Sequence, residues 1–322
     1  MTTIRGALRD LVMSPALVDV TFAKRGFPAE PSAVTEQLEA VPQAVICGFE
    51  WGIGARNQWE VERRLDMVDP ELRGFAYEGA TMAFTILDSM GRGHRARDLL
   101  LGPGRPHIFL AYIGMGFAMA RLPRPVWKKV LPDLTGCEFH PTMSWLVVDG
   151  YGFDRAYFDT KRWVDAQYTP SPYPWDGAPG YFLRAVDQGI GRALWFICGA
   201  NVTDVAAAVG RFASHRHADL WSGVGLAAAF AGGSDASGLA ALRGASGEYW
   251  TELALGVVFA IKARTYADFL PPHTELAGSA LADLSAEAAV ALADRTSPNG
   301  GGSNVPAYEV WRQNIRARLA AR

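Results

Sequence analysis

The sequence predicts a mainly α-helical protein with no convincing β-sheet. Apolar residues recur at helical spacing in long stretches, for example in "GATMAFTILDSM" and "AYEVWRQNIRARLAAR", whereas alternating strand patterns are rare. Helix start signals support this fold class. Asp69-Pro70-Glu71 provides an N-cap, a first-turn proline and an acidic first turn, and Ser285-Ala286-Glu287 opens an alanine-rich run. Prolines at 170, 172 and 174 predict a rigid loop, and "SPNGGGSNVP" separates the last helix.

The chain also contains signs of an internal duplication. Three segments recur in the same order at offsets of 151, 146 and 142 residues: residues 46–48 match 197–199, 79–84 resemble 225–230, and Gly114 with Phe117 recurs as Gly256 with Phe259. Slowly drifting offsets are typical of a tandem repeat whose loops have changed length. Chance matching among helices rich in glycine, alanine and phenylalanine is the alternative. We therefore predict one compact unit made of two related helical halves, residues 1–160 and 161–322.

Composition and charge narrow the class of protein. The chain has 322 residues, of which 49% are hydrophobic and 20% charged, as in ordinary globular proteins. A net charge of -2 without a basic stripe predicts no nucleic-acid partner. The N-terminus carries Arg5, Arg9 and Asp10, which does not fit a signal peptide. The uncharged apolar stretches, such as 108–120, are shorter than the about 20 residues needed to cross a bilayer. We expect a cytoplasmic protein without integral membrane association.

The glycine and histidine patterns do not indicate a cofactor site. Gly-x-Gly recurs along the chain, but never with the third glycine of a dinucleotide fingerprint, so pairs such as Gly114 and Gly116 are interpreted as helix-packing positions. His215 and His217 form the nearest approach to a metal pair, in what resembles a polar connector, beside the weaker Cys137 and His140. We expect no metal, haem, flavin or nicotinamide.

The candidate catalytic residues are aspartates and glutamates in apolar stretches. "WLVVDGYGFDRAYF" places Asp149 and Asp154 around Gly150 and Gly152, which suggest a turn able to present either acid to an apolar cavity. A carboxyl group in apolar surroundings is a usable proton donor. The other acids in aromatic contexts are Glu78, Asp187 and Asp219, and the residues predicted to line the pocket are Tyr77, Trp145, Tyr151, Phe153, Arg192, Trp195 and Trp221. The alternative is that Asp149 and Asp187 cap turns or pair with Arg155 and Arg192.

Several stretches together resemble a bacterial family known as domain of unknown function 1702. They are "LRGFAYEGATMAF", "GPGRPHIFLAYIGMGFAMARL", "WLVVDGYGFDRAYF", "DQGIGRALWF", "ADLWSGVGLAAAFAGG", "PHTELAG" and "PAYEVWRQNI", which extend from about Leu72 to about Ile315. The resemblance implies cytoplasmic biosynthesis around a hydrophobic small molecule, in enediyne polyketide or terpenoid pathways. It supplies no set of catalytic residues.

We therefore expect a cofactor-independent cyclase or isomerase of specialised metabolism that acts on a polyene, terpenoid or polyketide substrate. Its candidate proton donors are Asp149 and Asp154, supported by Glu78 and Asp187. The aspartate-rich motifs of classical terpene synthases are missing from the sequence. Two alternatives remain: a non-catalytic carrier or partner protein for a hydrophobic intermediate, which is itself able to bind pathway enzymes, and a haem or metal oxidoreductase using His107, His140 or the His215/His217 pair.

Overall fold

The computed structural model describes residues 16–298 and 305–322, and in this part of the chain every regular element is helical and no strand occurs. The predicted mainly α fold is confirmed. The N-terminal segment 1–15, with Arg5, Arg9 and Asp10, and the glycine-rich segment 299–304 lie outside the described residues.

We number the α-helices in chain order. They are α1 (Phe22–Arg25), α2 (Ala33–Gly54), α3 (Gln58–Asp66), α4 (Pro70–Ser89), α5 (Arg95–Leu101), α6 (Ile108–Arg121), α7 (Trp145–Phe158), α8 (Pro179–Ile197), α9 (Val202–Arg211), α10 (Ser214–Ala231), α11 (Ala236–Ser246), α12 (Trp250–Tyr266), α13 (Pro272–Ala282), α14 (Ala286–Thr296) and α15 (Ala307–Ala320). The predicted starts at Asp69 and Ser285 are confirmed, because each side chain accepts a hydrogen bond from a first-turn amide. The proline-rich segment 169–174 has no regular structure, as predicted.

The chain divides into two compact units. The first contains the chain up to Gly26 together with Glu39–Tyr151, and the second contains Phe27–Leu38 together with Gly152–Arg322. The division falls inside α7. The structure does not show an internal duplication. Gly79 of α4 packs on an earlier helix, α2, whereas Gly225 of α10 packs on a later helix, α12. These two glycines are therefore not equivalent in their packing, and the duplication stays a prediction.

Glycine pairs bring the long helices of each unit into backbone contact. A Cβ on Gly79 of α4 would overlap the carbonyl oxygen of Val45 in α2, and a Cβ on Gly48 of α2 would overlap that of Ala76 in α4. In the second unit, Gly191 of α8 and Gly223 of α10 form the same reciprocal pair. Only glycine permits this approach, which confirms the interpretation of these positions as packing sites.

The Gly-x-Gly pattern places a helix between two neighbours. Gly114 of α6 lies against Glu78 of α4, and Gly116 lies against Val147 of α7. Residues two apart point in directions about 200° apart around a helix. Helices α4 and α7 therefore lie on nearly opposite sides of α6.

The long helices run parallel to their neighbours. Between α4 and α6, Gly74 lies beside Leu110, and Glu78 lies beside Gly114. The residue numbers at these contacts increase in the same direction along both helices, so the helices are parallel. Between α6 and α7, the ring of Phe109 contacts Phe139, just before α7, and Gly116 contacts Tyr151. In the second unit Asp187 pairs with Arg216, and the Arg192 amide lies beside Gly223. Shorter helices or loops return the chain between successive long helices.

One side of α4 is covered by short helices. The buried cluster there joins α3, α4 and α5, and consists of Val61, Leu65, Ala76, Tyr77, Ala80, Phe84, Ala96 and Leu99. Within residues 16–298 and 305–322, no single helix has the length and apolar character needed to cross a membrane. The bent pair Pro272–Ala282 and Ala286–Thr296 meets that test only when the two helices are taken together.

The glycine contacts predict that one methyl group added at Gly223 strongly lowers the stability of the fold. We expect Gly223→Ala to destabilise the fold by about 3 kcal/mol or more, because the added carbon overlaps the α8 backbone and forces the helices apart. Gly244→Ala is the matched control: this exposed glycine of α11 has open space around its would-be Cβ, and alanine should stabilise the helix by up to about 1 kcal/mol. Urea unfolding of both variants measures the difference, and equal effects would contradict this packing.

Candidate functional site

The stretch that carries Asp149 and Asp154 is one continuous helix, so the predicted turn at Gly150 and Gly152 is wrong. Both glycines are packing positions instead: Gly150 lies against Ile113 of α6, and Gly152 lies against Val186 of α8. Close packing offsets the about 1 kcal/mol that a glycine costs inside a helix. Residues five apart on a helix point about 140° apart, so Asp149 and Asp154 face different surroundings.

Glu78 and Asp149 lie on the same side of the first unit's helix row. Glu78 directly precedes Gly79, which packs on α2, and Asp149 directly precedes Gly150, which packs on α6. Ile113 holds the same position before Gly114 on α6. In parallel helices, residues at matched positions point to the same side of the row. We call this side the acid face; its residues are Phe75, Glu78, Met82, Leu110, Ile113, Phe117, Leu146 and Asp149.

The two sides of α6 differ in exposure. On and next to the acid face, Phe109, Leu110, Ile113, Phe117 and Ala120 each keep 3–7% of their surface exposed, whereas on the opposite side Ala111, Tyr112, Met115, Ala118 and Met119 are completely buried. Glu78 and Asp149 are 3% and 2% exposed. Both sides of α6 are therefore buried, and the side chains on and next to the acid face are large and apolar. This combination suits a hydrophobic ligand near two carboxyl groups.

The aromatic residues predicted to line a pocket with these acids are only partly gathered there. Trp145 lies one turn before Asp149 on the same side of α7 and is completely buried. Tyr77 stacks on His107, with 4.5 Å between ring centroids, in the cluster away from the acid face, and burial raises its pKa to about 12. Tyr151 points away from Asp149 and contacts the Trp127 ring at 5.1 Å.

In the second unit, Asp187 forms a buried ion pair. Its carboxylate accepts hydrogen bonds from Nε of Arg216 at 3.0 and 3.1 Å, and from a terminal nitrogen of the same guanidinium at 2.5 Å. Burial raises the pKa of Asp187, and the Arg216 charge opposes that rise. An arginine pair was the alternative to a catalytic role for this acid, although the partner is Arg216 and not Arg192.

The remaining predicted residues of the second unit are dispersed. The guanidinium of Arg192 lies 4.9 Å from the centre of the Phe153 ring. Trp195 is completely buried and donates a hydrogen bond to the Gly232 carbonyl at 2.9 Å. Trp221 and Asp154 are also buried, on α10 and α7.

The most extensive polar cluster described in the second unit includes residues that the sequence did not single out. Asp219 of α10 accepts hydrogen bonds from Arg184 and Gln188 of α8, both at 2.8 Å, and from Arg312 of α15 at 3.2 Å. Glu309 of α15 accepts from Arg312 at 3.1 Å. We call this cluster the ionic network; its residues are Tyr181, Arg184, Gln188, Asp219, Ser222, Tyr308, Glu309 and Arg312.

Neutral groups complete the ionic network. Gln188 also donates to the Tyr181 hydroxyl at 3.0 Å and accepts from Tyr308 at 3.2 Å, and Tyr181 donates to Glu309 at 2.8 Å. Ser222 accepts from Arg312 at 3.0 Å. Asp219 and Glu309 bind Arg184 and Arg312, and Arg316 also donates to Glu309 at 2.9 Å. The network thereby attaches α15 to α8 and α10.

Arginine charges keep Glu309 ionised. Burial alone would raise the pKa of this carboxyl, but Arg312, Arg184 and Arg316 outweigh burial and, with the Tyr181 hydrogen bond, hold the pKa at about 2. Burial alone would lower the pKa of Arg312, but Tyr181 and Tyr308, together with Glu309 and Asp219, hold it well above its ordinary value. A signal for this cluster was present in the sequence, because Glu309 and Arg312 are three residues apart and share one helix face.

A family model described as "Protein of unknown function (DUF1702)" matches residues 4–319. The chain belongs to this family. No curated protein and no solved structure matches it. The ionic network of this DUF1702 protein joins three of the stretches that carry the resemblance: Gln188 lies in "DQGIGRALWF", Asp219 in "ADLWSGVGLAAAFAGG", and Glu309 in "PAYEVWRQNI".

Two histidines of this DUF1702 protein contact other polar groups of the protein. His215 and His217 lie in the first turn of α10, so the predicted polar connector is wrong, and their side chains point about 200° apart. His217 contacts the Phe212 carbonyl at 2.7 Å. Nδ1 of His140 lies 3.1 Å from the Tyr112 hydroxyl. In the described ranges, no three histidine, cysteine or acidic side chains form a metal-binding group.

The depressed pKa of Glu309 predicts acid-sensitive stability. Because an unfolded glutamate titrates near 4.5, the stabilisation is complete above about pH 4.5 and is lost as the pH falls toward about 2. The difference corresponds to about 3 kcal/mol. We expect Glu309→Gln to lower stability at pH 7 and to flatten this part of the pH profile, as measured by urea unfolding between pH 2 and 7. Glu287→Gln, on the neighbouring α14, is the control. An unchanged profile in Glu309→Gln would show that the ionic network does not act in this way.

Proposed function

We propose that this protein is a cytoplasmic enzyme of bacterial specialised metabolism that binds a hydrophobic polyene, terpenoid or polyketide substrate on the acid face. There it catalyses acid-initiated cyclisation or isomerisation without a redox cofactor. The observation that carries the proposal is the acid face itself: two buried carboxyl groups, Glu78 and Asp149, flank the apolar side of α6.

The chemistry requires a carboxyl group that holds a proton. Apolar surroundings favour the neutral form of a carboxyl group, because water no longer stabilises the charged form. From there the proton passes to an alkene carbon or a carbonyl oxygen of the substrate, and a cation develops. The rings of Phe75 and Phe117 on the same face offer negative π surfaces to that cation. A second carboxylate is the natural acceptor when the cation loses a proton.

The acids of the second unit are less suited to this role. Glu309 is held ionised by arginines, and Asp187 is fixed in a bidentate pair with Arg216. Pairing with arginine favours the ionised form of a carboxyl group, which makes it a weaker proton donor. We assign proton transfer to Glu78 and Asp149 because both lie on the acid face. In this proposal Asp187, Arg192, Trp195 and Trp221 are structural.

A non-catalytic carrier is the second candidate function. The apolar part of the acid face supports it equally, because Phe75, Leu110 and Phe117 would shield a hydrophobic intermediate without any proton transfer. The two candidates differ in the need for the carboxyl protons. Replacing a carboxyl by its amide keeps the shape and removes the proton, so it abolishes catalysis but not shielding.

The decisive experiment compares three amide variants in cells that co-express the neighbouring biosynthetic genes. We expect Glu78→Gln and Asp149→Asn to reduce formation of the cyclised or isomerised product at least about a hundredfold, with melting temperatures close to that of the wild type. Asp154→Asn is the matched control, because this acid is also buried on α7 but points about 140° from Asp149.

An isotope readout identifies the origin of the proton. When the wild-type protein converts the accumulated precursor in D2O, an acid-initiated reaction places one solvent deuterium on a product carbon, which mass spectrometry detects. Product made without deuterium, or wild-type product levels in both Glu78→Gln and Asp149→Asn, would reject the proposal. A precursor that is bound but never converted would favour the carrier.

A further inference from the structure

We infer that one end of the first unit is a docking surface for an anionic membrane. The surface consists of six exposed arginine and lysine side chains, which two separate segments of the chain bring together. We call it the basic patch; its residues are Arg92, Arg95, Arg97, Arg124, Lys128 and Lys129. The inference does not depend on the acid face or on the proposed catalysis.

Positive charge is concentrated in this part of the sequence. Residues 91–130 contain eight arginine and lysine residues and a single acid, Asp98, in a chain whose net charge is -2. The excess does not form a continuous stripe in the sequence, because the apolar helix α6 separates its two halves. Only the folded structure brings these halves together.

Contacts within the first unit join the two segments. Helices α4 and α6 are parallel, so their last residues, Ser89 and Arg121, lie toward the same end of the unit. The Ser89 hydroxyl donates to the Lys129 carbonyl at 3.5 Å, and Nε of Arg97 donates to the Asp133 carbonyl at 3.2 Å. The segment that follows α4 therefore lies against the segment that follows α6.

Buried neighbours hold the cations toward solvent. In the 3-10 helix Arg124–Lys129, Trp127 is 5% exposed and donates a hydrogen bond to the Leu122 carbonyl at 3.0 Å. On α5, Ala96 and Leu99 belong to the buried cluster with α3 and α4. The arginines and lysines next to these anchors in the sequence are exposed. The basic patch is therefore attached to the core of the unit at both segments.

Half of the basic patch has no counter-charge in the described part of the protein. Arg95 pairs with Asp88 at 3.1 Å, and Arg97 lies 3.8 Å from Asp98. Three members of the patch form no ion pair with any described acid, and they are Arg92, Lys128 and Lys129. Their charges are available to an anionic partner.

A lipid surface fits the basic patch better than a protein partner does. The centres of protein interfaces are depleted in charged residues, and lysine is depleted across such interfaces. In contrast, a cluster of about four to eight lysine and arginine residues at a membrane surface binds anionic lipid, with about a fivefold gain in affinity per charge. Met90, beside the first segment, is 49% exposed. An apolar side chain among cations can enter the boundary between headgroups and acyl chains.

Sedimentation of the full chain with lipid vesicles tests the inference. The probes are vesicles of phosphatidylcholine alone and vesicles in which phosphatidylglycerol replaces part of that lipid. We expect binding only to the anionic vesicles at low salt, and release at high salt, because added ions screen exposed charges. Equal binding to both vesicles, or no binding to the anionic ones, would overturn the inference. If the protein then binds polyglutamate through Lys128 and Lys129, the patch belongs to an acidic protein partner instead.

A double substitution assigns the binding to the basic patch. Lys128→Gln with Lys129→Gln removes two unpaired charges and should weaken binding to anionic vesicles at least about tenfold, with an unchanged melting temperature. Lys24→Gln with Arg105→Gln is the matched control, because it removes the same charge at two exposed positions outside the patch. The control should bind nearly as well as the wild type. Equal weakening in both double variants, or no weakening in the first, would overturn the inference.

Discussion

Backbone contact between parallel helices is the constraint on which the rest of this structure depends. Parallel neighbours can approach this closely only where glycine lies at the contact, and the Gly-x-Gly spacing allows one helix to contact a neighbour on each side. The contact also fixes the rotation of each helix. Once Gly79 and Gly150 point to the preceding long helix, α2 or α6, the residues before them must point to one common side, and both of those residues are acids.

Buried acidic residues have different surroundings in the two units. In the second unit, acids and arginines from three helices neutralise one another, and each carboxylate accepts several hydrogen bonds. Such a network makes the position of α15 specific, because an undocked helix would leave Asp219 with fewer partners inside the protein. In the first unit, Glu78 and Asp149 are also buried, on the side of the helix row where α6 carries apolar side chains. A fold stabilised by glycine contacts and one closed ionic network can hold carboxyl groups in such surroundings.

The family assignment and the structure contribute different kinds of information. Membership in DUF1702 covers almost the whole chain, so the glycine contacts, the acid face and the ionic network all belong to the family domain. It assigns no chemistry to them. The proposed function therefore depends on the position of two buried carboxyl groups, Glu78 and Asp149, beside the apolar side chains of α6.

The sequence alone determined the fold class, several helix starts, the packing role of the glycines and the presence of acids in apolar stretches, because these depend on periodicity and on local backbone chemistry. It did not determine the conformation of residues 145–158. Glycines at 150 and 152 resemble a turn locally, and only contact with Ile113 and Val186 makes a helix favourable there. Likewise, Asp187 lies 29 positions from its partner Arg216, and Tyr181 and Glu309 of the ionic network are 128 positions apart. Side-chain pairs at such separations depend on how helices are rotated and packed, which is a property of the tertiary structure.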